Sequence, residues 1–261
     1  MSSPFDIERE WFKSKVAIVT GGRVGIGLGI AKMLVDAGVS VVITGRETAG
    51  IEQAAAELEA RGGGLSLGIG MDVTNPDDVQ RTVATTMEHF GRLDFLVNCA
   101  GARAFGPLHK MTLAEWDEVM DVQLTGTFLC CQAAIDSLLE TSGRIVNMGS
   151  IYGYLGRELG SSYAASKAAV VALTKVLASE LAPRVTVNAI APGTIETERR
   201  YPPEMSEEQR NADRVKRASV VPLARVGSPE DVAWSAMSLL GPGANWITGQ
   251  VMHPNGGFAM P

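Results

Sequence analysis

The fold is decided by the stretch Thr20-Gly21-Gly22-Arg23-Val24-Gly25-Ile26-Gly27. It directly follows an apolar run of strand length, Val16 to Thr20, and opens a stretch with helical spacing, Ile26 to Ala37. Glycines here let the chain turn sharply and let its backbone approach a pyrophosphate, which free N–H groups at a helix N-terminus stabilise. A Walker A loop is excluded because Leu28, and not lysine, follows Gly27. The stretch therefore predicts a strand, a phosphate-binding turn and a helix.

The same alternation of strand-like and helix-like stretches continues along the chain. Strands are predicted at Val16 to Thr20, Val39 to Thr44, Leu65 to Met71, Phe95 to Asn98, Ile145 to Met148, Val185 to Ile190 and Gln250 to Met252. Helices are predicted at Ile26 to Ala37, Thr48 to Ala60, Pro76 to Glu88, Ala114 to Leu139, Tyr163 to Glu180 and Pro229 to Leu240. No Pro/Ser-rich linker interrupts this order, which predicts an α/β fold of one Rossmann-type, doubly wound domain over residues 1–261. We expect a seven-stranded parallel sheet with helices on both of its faces.

One long segment, Gly193 to Pro222, breaks the alternation. It carries equal numbers of acids and bases, and Ser206 with Gln209 is spaced as a capping box that would open a short helix. Long insertions in compact domains are usually lids or binding loops, so we expect a substrate lid at about residues 193–222. Its basic run, Arg214 to Arg217, is either one face of a lid helix or a surface for an anionic acyl carrier or coenzyme A substrate.

Composition excludes several classes of protein. With 29 acidic and 23 basic side chains the net charge is -6, so neither nucleic acid nor an anionic membrane is the expected partner. No window approaches 18 uninterrupted apolar residues and the N-terminus is charged, so we expect a cytoplasmic protein. Cys99, Cys130 and Cys131 show no CxxC pairing, and the three His are far apart. We expect buried thiols and no metal site.

A second motif, Tyr163-Ala164-Ala165-Ser166-Lys167, lies at the start of a predicted helix. Four helical steps place Tyr163 and Lys167 roughly 40° apart on one face, so the ammonium lies near the phenol. Lowering the pKa of a phenol from about 10 to about 7 takes roughly 4 kcal/mol, which one buried cation and a second positive ligand can supply. The alternative is a tyrosine packed at a helix start beside a solvated lysine.

These two motifs and their order resemble the short-chain dehydrogenase/reductase family, over nearly the whole chain from Lys15 to Gly257. Ser150 lies 13 residues before Tyr163, at the place of that family's catalytic serine. Asn98-Cys99-Ala100-Gly101 is similar to its NNAG motif, and Asp72-Val73 looks like the pair that meets adenine. The segments Asn188 to Thr197, Pro222 to Ala233 and Ile247 to Gly257 resemble its nicotinamide-binding and C-terminal signatures.

The resemblance implies an oxidoreductase that interconverts a ketone, or a 3-oxoacyl group, and a secondary alcohol by hydride transfer. Tyr163 would be the general acid or base, Ser150 would hold the oxygen, and Lys167 would lower the pKa of Tyr163 and bind the nicotinamide ribose. The predicted catalytic residues are Ser150, Tyr163, Lys167 and Gln123. The predicted cofactor-binding residues are Gly21, Arg23, Gly25, Ile26, Gly27, Arg46, Asp72, Val73, Asn98, Ala100, Gly101, Tyr163, Lys167, Pro192, Gly193, Ile195 and Thr197.

Cofactor choice is predicted from the end of the second strand, Ile43-Thr44-Gly45-Arg46. An NAD site needs a carboxylate there for the ribose 2′-OH, whereas a 2′-phosphate needs a cation. Gly45 stands where the NAD-preferring members of the family carry Asp, and Arg46 and Arg23 are placed to reach a phosphate. We therefore expect NADP rather than NAD. The alternative is that both arginines are solvated surface residues.

One departure from the family pattern keeps a second function open. Gln123 stands where the family has an Asn that holds a water linking the lysine to solvent. The alternative function is an NAD(P)-binding scaffold or sensor with little turnover. A purely structural oligomer is a third alternative, but the presence of Ser150, Tyr163 and Lys167 argues against it. The resemblance also implies a homotetramer acting on a small-molecule carbonyl or alcohol substrate. Nothing in Leu155 to Ser162 or in the lid names that substrate.

Overall fold

The strands that the hydrophobic pattern predicts are all present, with bounds that differ by at most one residue at either end. The computed structural model describes residues 10–261; residues 1–9 of the predicted domain lie outside the described part. The strands are β1 Val16–Thr20, β2 Ser40–Gly45, β3 Ser66–Gly70, β4 Phe95–Asn98, β5 Arg144–Met148, β6 Thr186–Ile190 and β7 Val251–Met252. They pair in parallel in the order β3-β2-β1-β4-β5-β6-β7, which confirms the predicted fold class.

The helices follow the predicted order but not every predicted boundary. They are α1 Gly25–Asp36, α2 Thr48–Glu59, α3 Pro76–Phe90, α4 Leu113–Met120, α5 Gly126–Thr141, α6 Tyr152–Leu155, α7 Ser161–Leu181, α8 Glu207–Ala218 and α9 Pro229–Leu240. The single helix predicted at Ala114 to Leu139 is wrong in one respect: a π-helical turn, Asp121–Thr125, separates α4 from α5. The short α6 was not predicted, because four residues are too few for a periodic pattern.

Local capping explains where several helices begin. Ser228 accepts a hydrogen bond from the Asp231 N–H, and the Asp231 carboxylate accepts one from Ser228 N–H, a capping box that opens α9. Ser206 and Gln209 make the same arrangement at the start of α8, as the sequence predicts. The lid segment therefore contains an ordinary, well-capped helix.

The sheet is buried on both faces, which is why its central strands read as continuous apolar runs. One core cluster joins Ala17 and Val19 of β1 to α1, α2 and α9, and the other joins Ile18 to α3, α5 and α7. One helical stretch, Leu113–Thr141, is long and apolar enough by composition to cross a membrane. Its side chains Cys130, Cys131, Ala134 and Leu138 are buried in the second cluster, so its apolar character serves the core.

The order of the strands reverses between β1 and β4, and a crevice opens there at their carboxyl ends. The hydroxyl of Thr20, the last residue of β1, accepts hydrogen bonds from the N–H groups of Cys99 and Ala100, both at 3.0 Å. A Cβ on Gly21 would lie 2.9 Å from the Ala100 Cα, and Gly21 has a φ of +64°, so only glycine fits. These contacts fix the position of the glycine-rich turn.

We expect Thr20→Val to lower the free energy of unfolding by about 2 kcal/mol, because it leaves two inward-facing N–H groups without an acceptor. Thr44 provides a matched control: it lies opposite Thr20 in the register of β1 and β2, and its buried hydroxyl has no hydrogen-bond partner among residues 10–261. Thr44→Val should be neutral or stabilising. Urea denaturation of both variants measures the difference, and equal losses of stability would contradict the role given to Thr20.

Candidate active site

Two adjoining cavities occupy the crevice at the carboxyl edge of the sheet. The first, of about 380 Å³, runs from the glycine-rich turn to Tyr163 and is called the Tyr163 cavity. The second, of about 300 Å³, lies at the ends of β2 and β3 and is called the Arg46 cavity. Gly21 and Gly101 line both, so the two form one continuous cleft.

Nearly all of the predicted site residues line this cleft. Those that line the Tyr163 cavity are Gly21, Gly25, Ile26, Gly27, Gly101, Gln123, Ser150, Tyr163, Lys167, Pro192, Gly193, Ile195 and Thr197. Those that line the Arg46 cavity are Gly21, Arg23, Arg46, Asp72, Val73, Ala100 and Gly101. Asn98 lines neither cavity.

Asn98 instead holds strands together beneath the cleft. Its Nδ2 donates to Asn147 Oδ1 at 2.8 Å and approaches Cys131 Sγ at 3.3 Å. The side chain is buried because it ends β4 in the middle of the sheet. Its contact with a cofactor therefore stays an untested prediction, and the structure gives its carboxamide a role in joining β4 to β5.

The glycine-rich turn fits a dinucleotide phosphate. A Cβ on Gly27 would lie 2.5 Å from the Gly21 carbonyl oxygen, so the turn packs too tightly for any other residue. The first turn of α1 carries no acidic side chain, and no side chain caps its N–H groups. These N–H groups face the Tyr163 cavity at Gly25 to Gly27 and are free to bind an anion.

Ser150, Tyr163 and Lys167 meet at the inner end of the Tyr163 cavity. Ser150 hydrogen-bonds the Tyr163 phenol and is itself buried. The Lys167 Nζ donates to the Met148 carbonyl oxygen at 2.6 Å and lies 5.8 Å from the centroid of the Tyr163 ring. Ser150 lies two residues after the end of β5 at Met148, and α7 carries Tyr163 and Lys167. β5 and α7 together therefore set the spacing of these three side chains.

The pKa of the Tyr163 phenol is raised, whereas a neighbouring lysine was expected to lower it. Burial raises the pKa of the Tyr163 phenol above its ordinary value, while the Ser150 hydrogen bond and the charges of Arg103 and Arg157 act in the opposite direction. Burial also lowers the pKa of the Lys167 ammonium to about 8. Arg103 and Arg157 are thus two further cations near Tyr163, besides Lys167, that the sequence did not single out. At neutral pH the phenol keeps its proton.

Gln123 lies in the π-helical turn that interrupts the long predicted helix. Its Nε2 donates to the Ala102 carbonyl oxygen at 2.8 Å, whereas its Oε1 is buried without a hydrogen-bond partner in the described part of the chain. Such turns recur at functional sites because they aim a side chain that a regular helix would hold elsewhere. Gln123 therefore reaches the cavity, but its amide N–H₂ group is bound to the backbone.

The segment of residues 193–222 contributes charged residues to the same cavity. Arg217 of α8 donates to Asp213 at 2.7 Å, to Thr194 Oγ1 at 3.2 Å and also to Glu196. The basic run lies on this helix, as one of the two readings has it, and within it the Arg217 side chain is only 10% exposed. Its ion pair with Glu196 joins α8 to the loop that follows β6, because Glu196 lies in that loop. These bonds pin α8 over the Tyr163 cavity.

The cysteines behave as buried packing residues. Cys130 and Cys131 lie in the core, and burial raises the pKa of the Cys131 thiol to about 12. Cys99 touches the Tyr163 cavity, but burial raises its pKa to about 12 as well. These thiols stay protonated and unreactive at neutral pH. Within residues 10–261, no group of three or more metal-ligating side chains is present.

The Arg46 cavity contains one charge that sequence reasoning missed. Glu47 lines it and lies 3.4 Å from the Arg23 guanidinium. Arg46 is exposed and makes no ion pair among the described residues. The position of Glu47, two residues after Gly45, could have indicated this charge in the sequence, because a carboxylate at this strand end hydrogen-bonds the ribose in NAD sites. No pattern indicated Arg103, Arg157 or Tyr152 of the Tyr163 cavity.

Comparisons with known proteins agree with this geometry. A family model described as enoyl-(acyl carrier protein) reductase matches residues 21–259. A 3-oxoacyl-[acyl-carrier-protein] reductase of Synechocystis is 39% identical over 251 residues, covering 95% of this chain and 98% of its own length. A protein of the same name from Vibrio cholerae is 37% identical over 250 residues, with the same coverage.

The solved structures lead to the same family. A crystal structure from Brucella melitensis, described as a short-chain dehydrogenase/reductase SDR:glucose/ribitol dehydrogenase, superposes with a TM-score of 0.87 at 33% identity. It covers 96% of this chain and 98% of its own. With the family model, the relatives and this fold in agreement, the chain belongs to the short-chain dehydrogenase/reductase family of oxidoreductases.

Proposed function

We propose that this protein is an NADP(H)-dependent oxidoreductase that interconverts a ketone, or a 3-oxoacyl group, and a secondary alcohol. The observation that carries the proposal is the grouping of Ser150, Tyr163 and Lys167 in a cavity continuous with the glycine-rich turn. The relatives named 3-oxoacyl-[acyl-carrier-protein] reductase support a ketone as the reacting group. When bound, the nicotinamide supplies or accepts the hydride at the carbonyl carbon.

The residues of the chain supply the proton and the positioning. In the reducing direction Tyr163 donates its phenolic proton to the carbonyl oxygen, and Ser150 donates a hydrogen bond that holds this oxygen. Lys167 places a buried positive charge beside the phenol, where it stabilises the phenolate left after transfer. A phenol that is fully protonated at neutral pH suits the role of proton donor.

The remaining expectations are part of the same proposal. We propose a single domain over residues 1–261, with residues 193–222 closing over a small-molecule substrate and no metal in the reaction. We also propose a cytoplasmic homotetramer, in which the helices at Ala114 to Leu139 and Tyr163 to Glu180 pack against other copies and the C-terminal strand forms a further contact. The exposed Phe128 of α5 offers apolar surface for these contacts. Trp246, 98% exposed, offers further apolar surface for such contacts.

The alternative function, an NAD(P)-binding scaffold or sensor with little turnover, has one observation in its favour. Gln123 Nε2 is bound to the Ala102 carbonyl and is not available to a proton relay through Lys167. Its Oε1 is buried without a hydrogen-bond partner in the described part of the chain, so this oxygen remains an acceptor that the relay could use. Binding of NADPH without any loss of its absorbance across a panel of ketones would favour the sensor.

Tyr163→Phe tests the proposed reaction. It should reduce turnover by about 10²-fold or more, the usual contribution of a positioned general acid, and leave NADPH binding nearly unchanged. Tyr154→Phe is the matched control, because Tyr154 is exposed and lies outside the Tyr163 cavity. Steady-state kinetics and fluorescence titration with NADPH measure the two effects; full activity of Tyr163→Phe would overturn the mechanism.

Arg46→Asp tests the choice of cofactor. The wild type should bind NADPH more tightly than NADH, because only the 2′-phosphate forms a charge-assisted contact with Arg46 and Arg23. Arg46→Asp should reverse this ratio of dissociation constants. Arg184→Asp, an exposed position before β6 at the opposite edge of the sheet, should leave the ratio unchanged. If the wild type instead prefers NADH, the proposed role of Arg46 is wrong, and Glu47 would bind the ribose 2′-hydroxyl of NAD in this cavity.

Gln123→Ala and Gln123→Asn test the relay. Loss of the amide should slow turnover more than it weakens NADPH binding, whereas Gln123→Asn keeps the same donors and acceptor and should retain most activity. Turnover as a function of pH, from mildly acidic to mildly alkaline, is the measurement. If Gln123→Ala matches the wild type throughout, Gln123 merely fills space in its helix.

A further inference from the structure

The mouth of the Tyr163 cavity is built around one arginine. The guanidinium carbon of Arg157 lies 4.3 Å from the centroid of the Phe105 ring and 4.9 Å from that of Tyr152. Phe105 in turn lies 6.0 Å from the Tyr163 ring. The arginine is therefore in cation–π contact with two rings, one of which also contacts the proposed proton donor.

A guanidinium carries five N–H donors along the edges of a planar fork that matches a carboxylate, and contact with aromatic rings does not use up these donors. Among residues 10–261, the Arg157 guanidinium makes no ion pair and no hydrogen bond. Arg200 and Arg217, which line the same cavity, are instead paired with Asp213. Arg157 is thus an exposed side chain in contact with two rings, and its donors remain available.

The charge of the described cavity lining favours an anion. Four arginines and Lys167 line it, and no Asp or Glu of the described residues does. Arg103 and Arg157 both line this cavity, and the positive charge of each lowers the pKa of the Tyr163 phenol. Arg200 and Arg217 are paired with Asp213 or Glu196, but a negatively charged substituent of the substrate could still form an ionic contact with Arg157, which an uncharged ketone could not.

We propose that the substrate is an oxoacid, a ketone with a carboxylate a few bonds from its carbonyl group, and that the edge of Arg157 binds this carboxylate. Arg103 adds a second positive charge on the same side. The carboxylate would then fix which end of the substrate points away from Ser150 and Tyr163. This inference rests on the proposed function and specifies its substrate class; a neutral oxoacyl thioester is the competing substrate.

A matched pair of substrates tests it: 4-oxopentanoate and its methyl ester, which differ in the negative charge. In the wild type, kcat/KM for the acid should exceed that for the ester by about tenfold or more. Arg157→Gln should remove this preference by slowing the acid alone, and Arg157→Lys should keep part of it because the charge remains. Arg184→Gln should behave as the wild type. Equal rates for acid and ester in the wild type, or an equal loss of both in Arg157→Gln, would overturn the inference and leave the proposed reductase intact.

A binding measurement separates this inference from the proposed reaction. Pentanoate, which cannot be reduced, should raise the thermal unfolding midpoint of the NADPH-saturated protein, and pentanamide should not. The pentanoate shift should vanish in Arg157→Gln and persist in Arg184→Gln. If no ketone is reduced but this pattern is seen, the reductase proposal fails and the anion site stands. Equal shifts with pentanoate and pentanamide, or no shift with either, would rule the site out.

Discussion

The close approach of the β1 and β4 backbones at their carboxyl ends is the constraint on which the rest of the structure depends. Gly21 packs against Ala100 with no room for a Cβ, and Thr20 binds two N–H groups of the following turn. Because successive helices leave this point toward opposite faces of the sheet, a crevice must open above it. The glycine-rich turn, the end of β5 and the start of α7 all border that crevice.

Burial sets the chemistry inside the crevice. A phenol and an ammonium placed together in a buried pocket both shift toward their neutral forms, which is the direction seen for Tyr163 and Lys167. The arginines at the cavity mouth oppose this for the phenol. The same positive charges that moderate the pKa of Tyr163 are thus the ones placed to meet an anionic substrate, so specificity and reactivity are coupled through Arg103 and Arg157.

Much of this was accessible from the sequence, because it depends on local patterns. The strands follow from apolar runs, the capping box of α8 follows from Ser206 and Gln209, and the motif residues lie at predicted strand ends. The π-helical turn was not predicted, since one inserted residue hardly alters a helical period. The cluster of Phe105, Arg157 and Tyr152 was also inaccessible, because it unites separate loops through tertiary packing.

The central claim, that this chain transfers a hydride and does not merely bind the nucleotide, is tested most directly with NADPH deuterated at the transferable position of the nicotinamide. The enzyme is incubated with 4-oxopentanoate and its methyl ester, and the products are analysed by mass spectrometry. We expect an alcohol that carries one deuterium on the carbinol carbon. NADPH that binds tightly but leaves both ketones unreduced, or alcohol without deuterium at that carbon, would contradict it.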